Sequence, residues 1–266
     1  MRARALLGLF TLAVLAAGIW LRELPGKDTA DSVLPLLAAF PLYIWLGWPW
    51  KWSRTAAVCI PRTVIAGIAL TLLGVTADST LLLAAGWVAF LAAFQSAFLE
   101  NAPSRFLILP FLGFPWVTQN LESLGWLFRY TGAATVQFLF TVLGFTVHRE
   151  GTLLLIRDMP LSVEPACAGL NVLQSTLLVG ALMICMRAPR GRFFWIAFAS
   201  LVPLAWVANT LRIFVLGCAG LLCGPDFAMG WFHQWGGWLV LCVMFLLCKM
   251  ALTRIPSGSA EQCRMA

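Results

Sequence analysis

The chain has 266 residues, of which 61% are apolar and only 11% charged, and its apolar runs recur at about the twenty residues needed to cross a bilayer. That composition excludes a soluble enzyme, because no hydrophilic stretch is long enough to bury a core of its own. The net charge of +7 does not point to nucleic acid: the basic residues are scattered at the ends of apolar runs instead of forming a stripe, as retention of Lys and Arg on the cytoplasmic side requires.

The first apolar run, 5–20, follows Arg2 and Arg4 but precedes no small-x-small cleavage site, and many more spans follow, so it reads as a retained first helix over about 5–21. A second helix is expected over about 33–50, a third over 60–76, a fourth over 80–99 and a fifth over 106–118. Outer connections then carry Arg22, Glu23, Lys27, Asp28, Asp31 and Asp78, and inner ones carry Lys51, Arg54, Arg62, Glu100 and Arg105.

Residues 119–147 hold Glu122 and Arg129 before a long apolar run and are expected to lie along the outer interface or to re-enter; a full span there would instead move everything after it to the other side and put Arg187, Arg190 and Arg192 outside, against the rule. The stretch "HREGTLLLIRDMPLSVEPAC" suggests two short extended segments in a loop. A sixth helix over about 168–186 ends at Arg187, Arg190 and Arg192. A seventh over 193–216 ends at Gly217, and an eighth over 236–253 follows a loop with Asp226 and His233.

On this path twelve of the 18 Lys and Arg residues fall inside and nine of the 11 acids outside. The expected fold is therefore all-α, a polytopic bundle of about eight transmembrane helices with one interfacial or re-entrant segment. It forms a single integral membrane domain over 1–266: N-terminal helices to 105, a core of helices and loops over 106–254, and a polar tail over 255–266.

Three polar residues meet at one level on that path: Cys167 before the sixth helix, Arg212 about one turn from the outer end of the seventh, and His233 before the eighth. A thiol at a helix N-terminus feels the positive end of the macrodipole, and a guanidinium nearby would further favour the thiolate. His233 has the proton affinity of a general acid or base. Asn209 lies three residues before Arg212 on the same helical face, which marks that face as polar and turned inward. Glu164 is a candidate to bind a polar group of a substrate or to pair with Arg212.

Together these residues supply a nucleophile, an acid/base and a cation for developing negative charge, the requirements of cysteine acyl transfer. There is no H-E-x-x-H, G-x-S-x-G or Walker-type loop. The eight cysteines are too dispersed for a zinc site, so neither a metal nor an organic cofactor is implied. Two other classes fit part of the pattern: a transporter or channel with Arg212 and His233 in a polar path, and a thiol oxidoreductase using Cys218 and Cys223 with Cys167.

The ordered set "VEPACAGLN" (Val163 to Asn171), "NTLRIFVLG" (Asn209 to Gly217) and "HQWGGW" (His233 to Trp238) resembles the exosortase/archaeosortase family. Upstream, "LPFLGFPW" and "GFTVHREGTLLLI" resemble the family segments that precede its cysteine. The resemblance covers about 107–238 and departs in Ala168, where a serine is commoner.

It implies Cys167 as nucleophile, Arg212 as support for the thiolate or oxyanion, and His233 as general acid/base. The implied activity is that of a cysteine protease or transpeptidase of the cell inner membrane, with its site on the outer face. Its implied partners are secreted proteins ending in a motif such as Pro-Glu-Pro, a transmembrane helix and a basic tail. The extended segments around 153–163 are expected to pair with that motif.

Overall fold

The computed structural model describes residues 2–23, 29–53, 61–100, 102–157, 159–162, 170–187, 191–228, 230, 239, 242–243 and 245–250. The chain forms two compact units, Met1–Asn120 and Leu121–Ala266.

In the first unit, α1 spans Arg2–Glu23, α2 Thr29–Leu46, α3 Pro61–Thr76 and α4 Thr80–Phe98, with short strands β1 (Lys51–Trp52) and β2 (Leu99–Glu100) between and after them. Helices α3 and α4 form a close antiparallel pair, in which Gly67 faces Phe90 and Gly74 faces Leu83. Ser79 caps α4, its side chain accepting from the Leu82 N–H. Trp87 Nε1 donates to the Leu12 carbonyl at 2.8 Å and so ties α1 to α4, while the Phe40, Trp87 and Phe114 rings meet edge to face.

Arg22 pairs with Asp78, and β1 pairs antiparallel with β2, Lys51 opposite Glu100. Each contact joins two connections that the alternating path assigns to one side of the bundle.

The expected fifth helix is broken. It is a 3-10 turn at Ser104–Leu107, then α5 (Ile108–Leu112) and α6 (Trp116–Asn120). Pro115 has no N–H for the ladder and pushes Phe114 away from helical geometry, so the run breaks at 113–115, whereas Pro110 is accommodated in the short α5. The broken segment still runs back along α4, because the Asn120 side chain accepts from the Leu81 N–H and donates to Ser79 Oγ.

In the second unit, residues 122–142 do not re-enter. They form one continuous helix of 21 residues, α7 (Glu122–Val142), about 31 Å long at 1.5 Å per residue. Its buried residues, Gly125, Phe128, Gly132, Ala133, Val136 and Phe140, recur at helical spacing and make one continuous stripe.

Three strands follow, where two extended segments were expected: β3 (Val147–Glu150), β4 (Leu153–Ile156) and β5 (Met159–Ser162), paired antiparallel in the order β3-β4-β5. The first turn uses Gly151 at positive φ. Arg149 fastens β3 to α7, its Nε donating to Gln137 Oε1 at 3.0 Å and its guanidinium lying over the Tyr130 ring.

Then come α8 (Leu170–Arg187), α9 (Arg192–Ala199) and α10 (Leu201–Cys223). The last two are nearly continuous, meeting at Ser200, where Pro203 cannot donate to the Ala199 carbonyl. Helix α10 runs on to Cys223 rather than ending at Gly217, since the apolar run "VLGCAGLLC" tolerates glycine, and this leaves Arg212 about three turns from its end instead of one. The expected eighth helix falls largely outside the described residues, of which 239, 242–243 and 245–250 are helical.

Contacts fix the directions of these helices. Trp206 meets Thr131, Thr210 meets Gly132 and Gly217 meets Phe140, so α7 and α10 run parallel. Leu201 faces Gly180 and Ala208 packs on Val172, so α8 runs antiparallel to α10. The sheet covers the far ends of α7 and α10: Leu154, Ile156 and Leu161 join Phe140, Ile213 and Leu216 in one buried cluster. The outward faces of the helices are apolar as well, with Phe138, Val142, Phe193, Trp195 and Ile196 all exposed, as expected of surfaces that meet lipid.

A Cβ at Gly217 would lie 2.9 Å from Phe140, whose ring is wedged against Phe145 and Phe214. Gly217→Ala is therefore expected to cost about 1–3 kcal/mol, a fall in Tm of several degrees for the purified protein in detergent. Gly18→Ala, with nothing within 4 Å, is expected to leave Tm unchanged or slightly higher.

Candidate functional site

The polar residues of the second unit gather where α7, α8 and α10 converge. On α10, Ala208 packs against Val172 of α8, and Thr210 faces Gly132 of α7, where a Cβ would sit 3.5 Å from Thr210 Oγ1 and 3.3 Å from Ile213 Cδ1. Asn209 lies between them and therefore faces the junction itself. It is 1% exposed, and neither its Oδ1 nor its Nδ2 has a hydrogen-bond partner among the described residues.

Arg212 stands three residues on and shares the helical face of Asn209. It is half-buried, which suits a guanidinium that must reach a polar space from an apolar helix. Asn209 thus faces inward, and Arg212, one turn on, is partly buried.

Helix α8 begins at this same junction. Leu170, its first residue, would meet a Cβ on Gly125 of α7 at 2.9 Å, and Val172 is the residue packed on Ala208. Cys167 precedes Leu170 by three positions in the sequence. Glu164, Cys167 and His233 lie outside the described residues, so of the expected site residues the structure places Asn209 and Arg212.

One further polar residue near the junction comes from α7. Arg129 stands in the middle of the buried stripe of α7, four residues after Gly125 and three before Gly132, and its Nε is buried without a partner among the described residues. The available signal was a charge at i+4 and i−3 from two glycines on one helical face, a placement that aims it into a helix contact.

The oxidoreductase alternative loses its geometry. Cys218 and Cys223 both lie within α10 rather than in a loop, and both are free. Helix positions five apart point about 140° away from each other and leave their Cα atoms too distant for a disulfide.

The second unit thus defines a helical membrane protein with a desolvated polar junction built inside an apolar bundle. Among the described residues, Ala3–Arg22, Thr80–Phe98 and Arg192–Cys223 are long and apolar enough to cross a membrane. The chain matches the family model for transmembrane exosortases (Exosortase_EpsH) over residues 2–250, and it belongs to that family. No curated protein and no solved structure matches it significantly.

Trp206 Nε1 donates at 2.8 Å to Thr131 Oγ1, which itself donates to the Leu127 carbonyl, so this bond helps hold α7 against α10. A double-mutant cycle of Thr131→Val and Trp206→Phe, followed by thermal unfolding, is expected to give a coupling of about 0.5–1.5 kcal/mol.

Proposed function

We propose that this exosortase is a cysteine protease or transpeptidase that cleaves the C-terminal sorting signal of secreted proteins through a thioester on Cys167. The observation that carries this reading is the family match over nearly the whole chain, with "VEPACAGLN", "NTLRIFVLG" and "HQWGGW" in order within it. The junction supports it: Asn209 is buried next to Ala208, which packs on Val172 near the start of α8, and Arg212 follows one turn later on α10.

In this mechanism the Cys167 thiolate attacks the scissile carbonyl, and Arg212 stabilises the thiolate and then the tetrahedral oxyanion. His233, as imidazolium, gives its proton to the leaving amine as the C–N bond breaks, which leaves an acyl thioester. Neutral His233 then takes a proton from the attacking water or acceptor amine, and the Cys167 thiolate leaves. Glu164 and Asn209 bind polar groups of the substrate. The two units act together as one integral membrane domain.

The site faces outward in this reading. The α8–α9 connection carries Arg187, Arg190 and Arg192 and no acid, so positive-inside retention assigns that end, and with it the start of the parallel helix α7, to the cytoplasm instead of the outer side on which the alternating path leaves Asn120. The sheet-covered ends of α7 and α10 then lie outside, the start of α8 opens toward that side from the level of Ala208, and the substrate's helix rests against the bundle with its basic tail inside.

Strand addition to β5 finds less support. Ile156 and Met159 pair across the turn, so their neighbour Pro160 has its ring nitrogen on the outer edge, where it offers no donor. A substrate strand would find that edge blunted.

The test is co-expression with an epitope-tagged secreted protein that ends in a Pro-Glu-Pro motif, an apolar helix and a basic tail, followed by immunoblot. Cys167→Ala is expected to abolish the size change, Arg212→Ala and His233→Ala to slow it by about 10²–10³-fold, and the Cys218→Ala/Cys223→Ala pair to leave it intact. Unchanged processing in Cys167→Ala would return Arg212 and His233 to a transport role.

A further inference from the structure

The junction holds polar groups that the bond-making and bond-breaking steps do not use. Asn209 presents two N–H donors and a carbonyl acceptor, all inside the bundle and unpartnered among the described residues. Arg129 adds a buried donor, Nε, from the facing helix. Its place on α7 is bracketed by the contact of Gly125 with the first residue of α8 and by that of Gly132 with Thr210 and Ile213 of α10.

On α10, Asn209 is bracketed in the same way by Ala208 and Thr210, which touch α8 and α7 in turn. Two helices thus carry unsatisfied buried groups at one junction. Apolar residues of similar size would pack there without the desolvation cost, so retained polar groups point to a ligand.

The donor and acceptor balance selects the ligand. A phosphate or other anionic headgroup would satisfy Arg129 and the Asn209 N–H groups but leave Asn209 Oδ1 without a donor. A peptide unit offers a C=O and an N–H at the spacing an amide side chain pairs with. We propose that Arg129 and Asn209 form a second polar subsite at the α7, α8 and α10 junction that holds the main chain of an extended peptide. Asn209 pairs with one peptide unit, and Arg129 donates to a neighbouring carbonyl oxygen. Resting on the function proposed above, this makes Arg129 a substrate-positioning residue and gives the bundle interior a direct part in binding the sorting motif.

The experiment separates this subsite from the cleavage reading by using the uncleaving protein. In a Cys167→Ala background, the tagged Pro-Glu-Pro substrate is co-purified in detergent with the otherwise unchanged chain, and with Arg129→Met, Arg129→Lys and Asn209→Leu added. Thermal unfolding and bound phospholipid are measured on the same samples. Arg129→Met and Asn209→Leu are expected to capture substrate at least about tenfold more weakly with Tm unchanged or raised, because each removes an unpartnered buried polar group. Arg129→Lys is expected to restore part of the capture.

Equal capture by all variants would overturn the subsite, as would loss of capture together with a lower Tm, which would make the two residues structural. Unchanged substrate capture with loss of a co-purified anionic phospholipid would overturn it in favour of a lipid site. Cleavage by the Cys167→Ala protein itself would overturn the function reading instead, whatever the Arg129 variants do.

Discussion

The second unit is organised around the burial of the Asn209 amide. A buried amide without a partner costs about 1–3 kcal/mol, and this one is 1% exposed in a helix that is otherwise almost wholly apolar. The strain persists because its neighbours are over-determined: Ala208 is held by Val172, Thr210 and Ile213 by Gly132, and the next turns by Phe140 and the sheet residues Leu154 and Ile156. Tight packing on both sides of one polar residue is how a bundle keeps a desolvated position that packing alone would remove.

From that constraint the rest of the unit follows. Parallel α7 and antiparallel α8 both meet α10 at the level of Asn209, so the start of α8 is delivered to the polar face of α10. The three-stranded sheet closes the far ends of α7 and α10, with Met159 against Gly220 and Ile156 against Gly217. In the proposed mechanism a nucleophile just before α8 would therefore find amide and guanidinium groups on adjacent turns, in surroundings where electrostatic stabilisation is stronger than in water.

Much of the helical framework was legible in the sequence, because long apolar runs punctuated by charge leave little ambiguity. The boundaries of α1, α3 and α4 differ from those expected by no more than three residues. The pairing of Asn209 with Arg212 on one face was equally legible, since three residues make almost one helical turn.

What escaped the reading depended on local chemistry set against a global pattern. Pro115, after Gly113, breaks an apolar run that otherwise looks continuous, and the mixed polarity of 119–147 conceals a stripe that becomes plain only on a helix packed against α10. Val147–Glu150, with two charges in four residues, gives no strand signal alone and becomes a strand through pairing with β4. Arg129 was visible as a charge in a greasy segment, but its direction could be assigned only once Gly125 and Gly132 had partners.

The central claim is that the peptide bond is exchanged for a thioester on one cysteine of this chain. Its most direct test is mass spectrometry of the purified protein after reaction with tagged substrate under limiting acceptor. The expected result is the N-terminal fragment of the substrate attached to Cys167 and released by hydroxylamine. Cleavage with the fragment attached to another residue, or with no adduct in a protein that still cleaves as Cys167→Ala, would contradict the account.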